Sequence, residues 1–210
     1  MKVFKYNLKL RSNDLNIVRD FVARGDFNFH NLSKIIMTCL NWTGEKQITY
    51  FMESSKIEIT DSRIQIPKTM GINFKSDRDS ICENFLDRGS KFVMIYGDET
   101  PFVFDIQVVD VIYDYEKEAK LLNSIGKEPV ESCEGEREYM EIVNILNNPD
   151  DSRYDETIEW IGKDYLNNTL SIENINENFE NLELILDEDN EVEDLSDDSE
   201  YSFDIFSDLM

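Results

Sequence analysis

Hydrophobic and polar residues alternate along the N-terminal segment, which is the pattern of a β-strand with one buried face. The large apolar residues of this segment are Phe4, Tyr6, Leu8 and Leu10. A turn signal, Asn13-Asp14, follows. Apolar residues recur along 16–24, so this stretch is predicted to return as the second strand of a hairpin. They are Ile17, Phe21 and Ala23.

The next segment changes to helical spacing. Its apolar positions follow i, i+3, i+4, i+7 and i+8, the single buried stripe of an amphipathic helix. They are Leu32, Ile35, Ile36, Cys39 and Leu40. Asn28 is a suitable N-cap. Gly44 is predicted to end the helix in a left-handed conformation.

The middle of the chain returns to strand patterns. Three short strands are predicted within 47–66, with alternating apolar residues at Ile48, Tyr50 and Met52, at Ile57 and Ile59, and at Ile64 and Ile66. A short helix is predicted over 77–87, and two longer strands over 91–96 and 102–113. The alternation slips at Val109, which predicts a β-bulge. Residues 114–134 are interpreted as a long connection.

The remaining pattern is helical, with stripes at Tyr139, Val143 and Leu146, at Tyr154, Ile158 and Ile161, and from Ile172 to Leu186. Gly162 is predicted to stop the second of these helices and Ser171 to cap the last. Strands with one early helix, followed by helices, indicate an α+β fold. We expect an antiparallel sheet with an early packed helix and a C-terminal helical subregion.

The distribution of charge along the 210 residues separates the body of the chain from its C-terminal end. There are 45 acidic and 21 basic residues, a formal net charge of −24, and residues 187–210 contain eleven acidic residues and no basic one. Self-repulsion at this density opposes compaction, so we predict a folded domain over 1–186 and a disordered acidic tail over 187–210. Such a charge also disfavours direct binding to nucleic acid.

The same composition bears on compartment. No apolar run reaches the roughly 20 residues that a bilayer span needs, and the N-terminus lacks the apolar core of a signal peptide. The three cysteines, Cys39, Cys82 and Cys133, are far apart in the sequence. We therefore expect reduced thiols and a cytoplasmic protein without membrane association.

Site chemistry is sparse. The single histidine, His30, and the dispersed cysteines predict no metal site, and no glycine-rich phosphate loop is present. We predict no cofactor and assign no catalytic residue. Asp98 and Glu99, after Gly97, form the most defensible carboxylate pair, and a solvated turn is the competing interpretation. Trp42 and Trp160 are predicted core anchors, with Trp42 as a ligand platform the alternative.

Several blocks of residues over about 1–183 resemble the plasmid pRiA4b ORF-3-like family, also met as a passenger protein of insertion elements. They comprise the strands through Arg19, then Leu32, Ile35, Ile36 and Trp42, the segment FVMIYGDE at 92–99, the block Pro129, Cys133, Gly135 and Tyr139, and finally Pro149-Asp150, Glu159-Trp160 and Asn176. The resemblance implies an α+β fold and a mobile-element setting, with no established activity.

The chain also departs from this family. Ser33, Gln47 and Phe102 stand where the family commonly has histidines, and the tryptophan usual after the Gly-Asp turn is replaced near Thr100. If relatives use those side chains for chemistry or metal binding, this chain has lost them.

The leading functional hypothesis is a non-enzymatic interaction protein whose acidic surface and tail bind a basic macromolecular partner. A narrower version is nucleic-acid mimicry, with carboxylates in place of phosphates. Acidic and apolar residues interleave at the tail's end, which is typical of docking segments, although the tail can equally pack back on the body. The apolar residues there include Tyr201, Phe203, Ile205, Phe206 and Leu209.

Two other hypotheses stay open. The first is a small enzyme or ligand-binding domain with a pocket near Trp42, Asp98 and Glu99. The second is a soluble accessory protein without a discrete site. The sequence leaves open whether the protein is an enzyme, and the missing site chemistry favours the non-enzymatic hypothesis.

Overall fold

A computed structural model of the chain describes residues 2–61, 71–167 and 171–188, without the side chains of Asp164, Asn167 and 183–188. The strands are β1 (Lys2–Leu10), β2 (Val18–Arg24), β3 (Ile48–Met52), β4 (Ile57–Thr60), β5 (Asn73–Ser76), β6 (Lys91–Tyr96), β7 (Phe102–Tyr113) and β8 (Ala119–Ile125). The helices are α1 (Phe29–Leu40), α2 (Gly135–Leu146), α3 (Tyr154–Ile161), α4 (Lys163–Asn167) and α5 (Ile172–Glu188). This is the expected α+β fold.

The strands form one sheet in the order β5-β4-β3-β6-β7-β1-β2-β8. Neighbouring strands are antiparallel, except that β4 and β5 are parallel. The predicted hairpin of β1 and β2 is confirmed. The bulge is confirmed as well, because Lys5 pairs with Asp110 and Tyr6 with Val108, which leaves Val109 without a partner in the register.

One face of the sheet carries the hydrophobic core. Strand register sets its inward side chains opposite one another, so Tyr6 of β1 faces both Phe21 of β2 and Val108 of β7. Helix α1 covers this face, and the ring of its Phe29 contacts Tyr50 and Phe92 at centroid distances of 5.1 and 6.1 Å. The predicted helix stripe is entirely buried: Leu32, Ile35, Ile36, Cys39 and Leu40.

The ends of α1 are set by two asparagines. At the start, Asn28 Oδ1 accepts a hydrogen bond of 2.8 Å from the Asn31 amide, which confirms the predicted N-cap. At the end, the prediction of Gly44 was wrong, because Asn41 takes the left-handed position with φ of 55°. Asparagine tolerates this conformation through its short polar side chain, so the helix stops three residues earlier than a glycine rule indicates.

Two further sequence predictions were wrong. The stretch 114–134 is not a plain connection, because it contains β8, an edge strand in which only Leu121 is fully buried. The helix predicted over 77–87 is reduced to a 3₁₀ turn at Cys82–Asn84. In both segments the apolar periodicity is weak, and backbone hydrogen bonds to distant residues decide the structure instead. Strand β8 pairs with β2, and the amides of Cys82 and Glu83 donate to the carbonyls of Phe27 and Gly25.

Some predictions fall outside the described residues. These are the strand through Ile64 and Ile66 and the part of the tail from 189 to 210. Helix α5 extends to Glu188, two residues past the predicted boundary at 186, and the division into domain and tail stays a prediction. Among the described helices, none is both long enough and apolar enough to cross a bilayer.

Helix α5 closes one edge of the sheet. Its Asn176 side chain accepts a hydrogen bond of 2.8 Å from the Leu121 amide and donates one of 3.1 Å to the Leu121 carbonyl. A side-chain amide thereby occupies backbone groups of edge strand β8 that another strand would otherwise pair with. The Asn174 amide donates to Ser171 Oγ at 3.3 Å, so Ser171 caps this helix as predicted.

Arg19 is a fully buried cation beneath α1. Its Nε donates to the Cys39 carbonyl at 3.0 Å, and its Nη1 donates to the carbonyls of Val18, Ile125 and Gly126 at 2.9, 2.8 and 3.2 Å. A positive charge at the C-terminal end of a helix is favourable. Burial lowers the pKa of Arg19, and the charge of Glu128 opposes that shift. The guanidinium therefore joins β2, α1 and the end of β8.

Replacing Arg19 tests this junction. We expect Arg19→Met to lower the free energy of unfolding by at least about 3 kcal/mol, because buried carbonyls lose their donors. The matched control is Arg11→Met, since Arg11 pairs with Asp105 through side chains that are both more than half exposed, and its loss costs under about 1 kcal/mol. Urea unfolding measures both. A change within about 1 kcal/mol for Arg19→Met would contradict the assignment.

Gly135, at the start of α2, lies against the β6–β7 turn. It has φ of +76°, and a Cβ there would stand 2.2 Å from the Thr100 carbonyl oxygen. Gly89 has φ of +91° with nothing within 4 Å of a Cβ. We expect Gly89→Ala to cost about 1–2 kcal/mol from backbone strain alone, and Gly135→Ala to cost clearly more because the clash adds to it. Equal midpoints in urea would show that the two segments do not touch.

Candidate functional site

Trp42 is an anchor of the core, as predicted, and is 7% exposed. Its ring stacks on Tyr96 at 4.7 Å and contacts Phe102 and Phe104 at 5.3 and 5.9 Å. Its Nε1 donates a 2.8 Å hydrogen bond to the Pro129 carbonyl. With the ring and the indole N–H both engaged by protein groups, only a small edge of Trp42 is left to contact a ligand.

The predicted carboxylate pair lies in the turn between β6 and β7. Gly97 adopts φ of +100°, which allows the tight turn expected of it. Asp98 and Glu99 are exposed. Within the described residues, neither lines the cavity beside Trp42. The structure therefore does not bring Asp98 and Glu99 together with the accessible edge of Trp42.

A cavity of about 580 Å³ lies between α1 and the start of β3, and we call it the α1–β3 cavity. Its described lining includes His30, Ser33, Met37, Trp42, Gln47, Ile48, Asp77 and Leu182. The polar part comes from one face of α1 and the segment after β5, and the apolar part from Trp42 and its neighbours. Its size is that of a small-molecule site.

His30 and Asp77 form the polar pair of this cavity. His30 Nδ1 lies 3.1 Å from Asp77 Oδ2, and the Asp77 side chain is 10% exposed. His30 Nε2 and Asp77 Oδ1 are buried, and in residues 2–61, 71–167 and 171–188 they have no hydrogen-bond partner. Nearby, Ser33 Oγ donates to the Phe29 carbonyl at 2.9 Å and lies 2.8 Å from the Tyr50 hydroxyl. Burial raises the pKa of Tyr50, so this hydroxyl stays neutral.

Glu131 holds the loop between α1 and β3. Its carboxylate accepts hydrogen bonds from the amides of Thr43, Gly44 and Glu45 at 2.7, 2.8 and 3.2 Å, and from the hydroxyl of Tyr96. Burial opposes ionisation of Glu131, but the hydrogen bonds from Tyr96 and from the loop outweigh it and lower its pKa. The charged form of Glu131 therefore fixes one wall of the α1–β3 cavity.

Cys39, Cys82 and Cys133 are free and buried. Burial raises the pKa of Cys39 and Cys82, and it raises that of Cys133 to about 12. Thiols with such pKa values are poor nucleophiles at neutral pH. In the described part of the chain, no three histidine, cysteine or carboxylate side chains are grouped closely enough to hold a metal ion.

Trp160 does not anchor the core, which corrects the prediction made for it. It is 52% exposed on α3. The apolar spacing of that helix already places Ile158 and Ile161 inward, so Trp160 falls on the outer face with Asp155, Glu156 and Glu159, all exposed. We call these four side chains the α3 surface. The signal was present in the sequence, because Trp160 lies outside the stripe of α3.

A family model described as plasmid pRiA4b ORF-3-like protein matches residues 2–174. The chain belongs to the plasmid pRiA4b ORF-3-like family. Among solved structures, it is similar to a protein of unknown function from Methanosarcina mazei Go1, with a TM-score of 0.69 and 15% identity over 82% of this chain and 95% of that one. At this identity the likeness shows the fold alone. A search of curated proteins gave no match.

Two of the blocks that carry the pRiA4b ORF-3-like resemblance contact Trp42, which belongs to another of them. Pro129 accepts its indole hydrogen bond, and Tyr96 of the FVMIYGDE segment stacks on its ring. Of the three positions where the resemblance expects histidines, Ser33 and Gln47 line the α1–β3 cavity, and Phe102 contacts the Trp42 ring. Two of the three departures from the family that the resemblance implies therefore lie at this cavity.

Glu131 makes the stability of the loop depend on pH. Its folded-state pKa is lowered, so its contribution is present above the unfolded pKa near 4.5 and is lost as pH falls through the folded value. We expect Glu131→Gln to cost about 1–3 kcal/mol at pH 7 and to flatten the loss of stability in acid. Exposed Glu99→Gln is the control and should change neither. Parallel acid limbs for wild type and Glu131→Gln would contradict the assignment.

Proposed function

We propose that the protein is a non-enzymatic binding protein whose partner is a basic protein segment, bound by the α3 surface and the acidic tail. The observation that carries the proposal is Trp160, a large aromatic side chain that is half exposed among carboxylates. Tryptophan is enriched among the residues that dominate binding energy at protein interfaces. An exposed tryptophan surrounded by acidic side chains suits a partner that presents Lys or Arg beside apolar groups.

The distribution of charge supports a one-sided interaction. Residues 134–188, which contain the helices after the sheet, carry sixteen acidic and three basic residues, whereas residues 1–133 carry twenty and eighteen. The excess negative charge therefore belongs to the helical part and the tail, and the sheet part is nearly balanced. Such asymmetry steers a basic partner towards one side of the molecule.

The α3 surface keeps like charges close together. Asp155 and Glu159 are four positions apart on the helix, and Glu156 and Glu159 three, so each pair shares a face. Like-charge pairs at this spacing each cost an isolated helix about 0.2–0.5 kcal/mol. Arg153, at the start of the helix, already pairs with Asp151 and Glu141. A basic partner would relieve this repulsion, which supports a binding role.

The tail has the same combination of acidic and apolar residues as the α3 surface. Acidic residues continue beyond α5, and the last ten residues interleave them with apolar ones, namely Tyr201, Phe203, Ile205, Phe206, Leu209 and Met210. A segment of this composition suits docking on a partner that is both basic and apolar. Nucleic-acid mimicry is the narrower version, in which the partner's own site is one for phosphates.

Binding of synthetic Lys- and Arg-rich peptides with one central apolar residue tests the proposal. The chain has two tryptophans, so their indole N–H signals in NMR separate an effect at Trp160 from one at buried Trp42. We expect the Trp160 signal to shift and Trp160→Ala to weaken binding by about tenfold or more. Double reversal Asp155→Lys, Glu159→Lys should weaken it and reduce its dependence on salt.

The matched control is the double reversal Asp98→Lys, Glu99→Lys, which makes the same change of charge in the β6–β7 turn. It should leave peptide binding almost unchanged. Equal weakening by both double variants would reduce the effect to net charge and contradict a specific surface. Removing 187–210 measures the tail's share, and competition by a short DNA duplex for a captured partner distinguishes mimicry from other binding to basic proteins.

A further inference from the structure

Two buried polar atoms of the α1–β3 cavity have no hydrogen-bond partner among the described residues. Buried polar atoms are nearly always hydrogen-bonded in native proteins, so an orphaned pair at one place needs an explanation. Asp77 is 7% exposed, and within the described part of the chain neither its Oδ1 nor the buried Nε2 of His30 has a hydrogen-bond partner. Both residues line the cavity. The α1–β3 cavity therefore contains two groups that are able to bind a ligand.

The pairing of the two side chains fixes their chemistry. We take Nδ1 of His30 as the donor to the Asp77 carboxylate, which lies 3.1 Å away, and this tautomer leaves Nε2 as the nitrogen with a lone pair. Nε2 of His30 and Oδ1 of Asp77 are then both acceptors. A molecule that satisfies them must bring hydrogen-bond donors, and the carboxylate favours donors that carry positive charge.

The rest of the lining is mixed. Its apolar side chains are Met37, Ile48, Leu182 and the edge of Trp42. Its other charged side chains are Lys34, Lys46, Glu45 and Asp61, so with Asp77 the cavity has three carboxylates and two lysines. A volume of about 580 Å³ falls within the range of small-molecule sites. We propose that the α1–β3 cavity binds a small molecule that carries an amidinium, guanidinium or amine group on an apolar body. This site is separate from the α3 surface, so the inference goes beyond the proposed function.

Two sources can present this chemistry, a free small molecule and an arginine side chain of a partner. Benzamidine represents the first, because it joins an amidinium to an apolar ring, and N-acetyl-arginine amide represents the second. Benzoate has the shape of benzamidine with the opposite charge and is the matched control ligand. His30 is the only histidine of the chain, so its imidazole signals in NMR report on the site without ambiguity.

We expect benzamidine to shift the His30 signals saturably, with a Kd on the order of 1 mM, and benzoate to leave them unchanged. Asp77→Asn keeps the shape of the side chain but removes its charge, and it should weaken benzamidine binding by about tenfold or more. The exposed neighbour Asp79 provides the control Asp79→Asn, with the same loss of charge and unaltered binding. Whichever of the two cationic probes binds more tightly identifies the source.

Three results would overturn the inference. They are no saturable shift of His30 with either cationic probe, equal shifts with benzamidine and benzoate, or wild-type affinity in Asp77→Asn. Melting curves of each variant establish that it is folded. If Asp77→Asn unfolds, His30→Gln replaces it, since this variant removes the paired imidazole and must weaken benzamidine binding in the same way. Because it has no histidine signal, binding to His30→Gln and to the wild type is then compared by titration calorimetry.

Discussion

The buried guanidinium of Arg19 is the interaction on which the arrangement of the domain depends. It lies on the core face of β2, opposite Leu8 of β1, and it reaches the last turn of α1 and the end of β8 at once. A side chain with several fixed donors can hold three chain segments in one geometry, which an aliphatic residue at the same place cannot do. The position of α1 on the sheet, and hence the shape of the cavity beside it, follows from this junction.

The sheet part and the helical part of the domain differ in net charge as well as in structure. The sheet with α1 is nearly neutral and is built around aromatic packing, whereas the later helices are strongly acidic and bury few residues each. Few residues of α2 are buried, and Thr157 is the only buried residue of α3. The helical part can therefore carry many like charges without disturbing the core, because those charges lie in water and are screened by salt.

Much of the fold could be predicted from the sequence because its strongest patterns are local. The alternation of β1, the stripe of α1 and the slip at Val109 each reflect burial of one face, and each is found in the structure. Strand β8 was missed, since its adjacent Leu121 and Leu122 and the polar Asn123 interrupt the alternation, and its conformation comes from pairing with β2. Trp160 was misjudged because size was given more weight than its place outside the helix stripe.

The site was predicted less well than the fold. Trp42 is a core anchor, as predicted, but His30 and Asp77 are 47 positions apart and nothing local links them. Only the meeting of α1 with the segment after β5 makes them a pair. Long-range contacts of this kind are beyond periodicity and motif spacing, and so the position of the cavity had to come from the fold.

The contact of Asn176 with strand β8 has a consequence for how the molecule behaves at high concentration. An open sheet edge invites a second copy to add its own strand, and repetition of that step produces fibrils. Because a side-chain amide already occupies the N–H and the carbonyl of Leu121, growth from that end of the sheet would first have to displace a helix. The protein thus has a built-in barrier to polymerisation on this side.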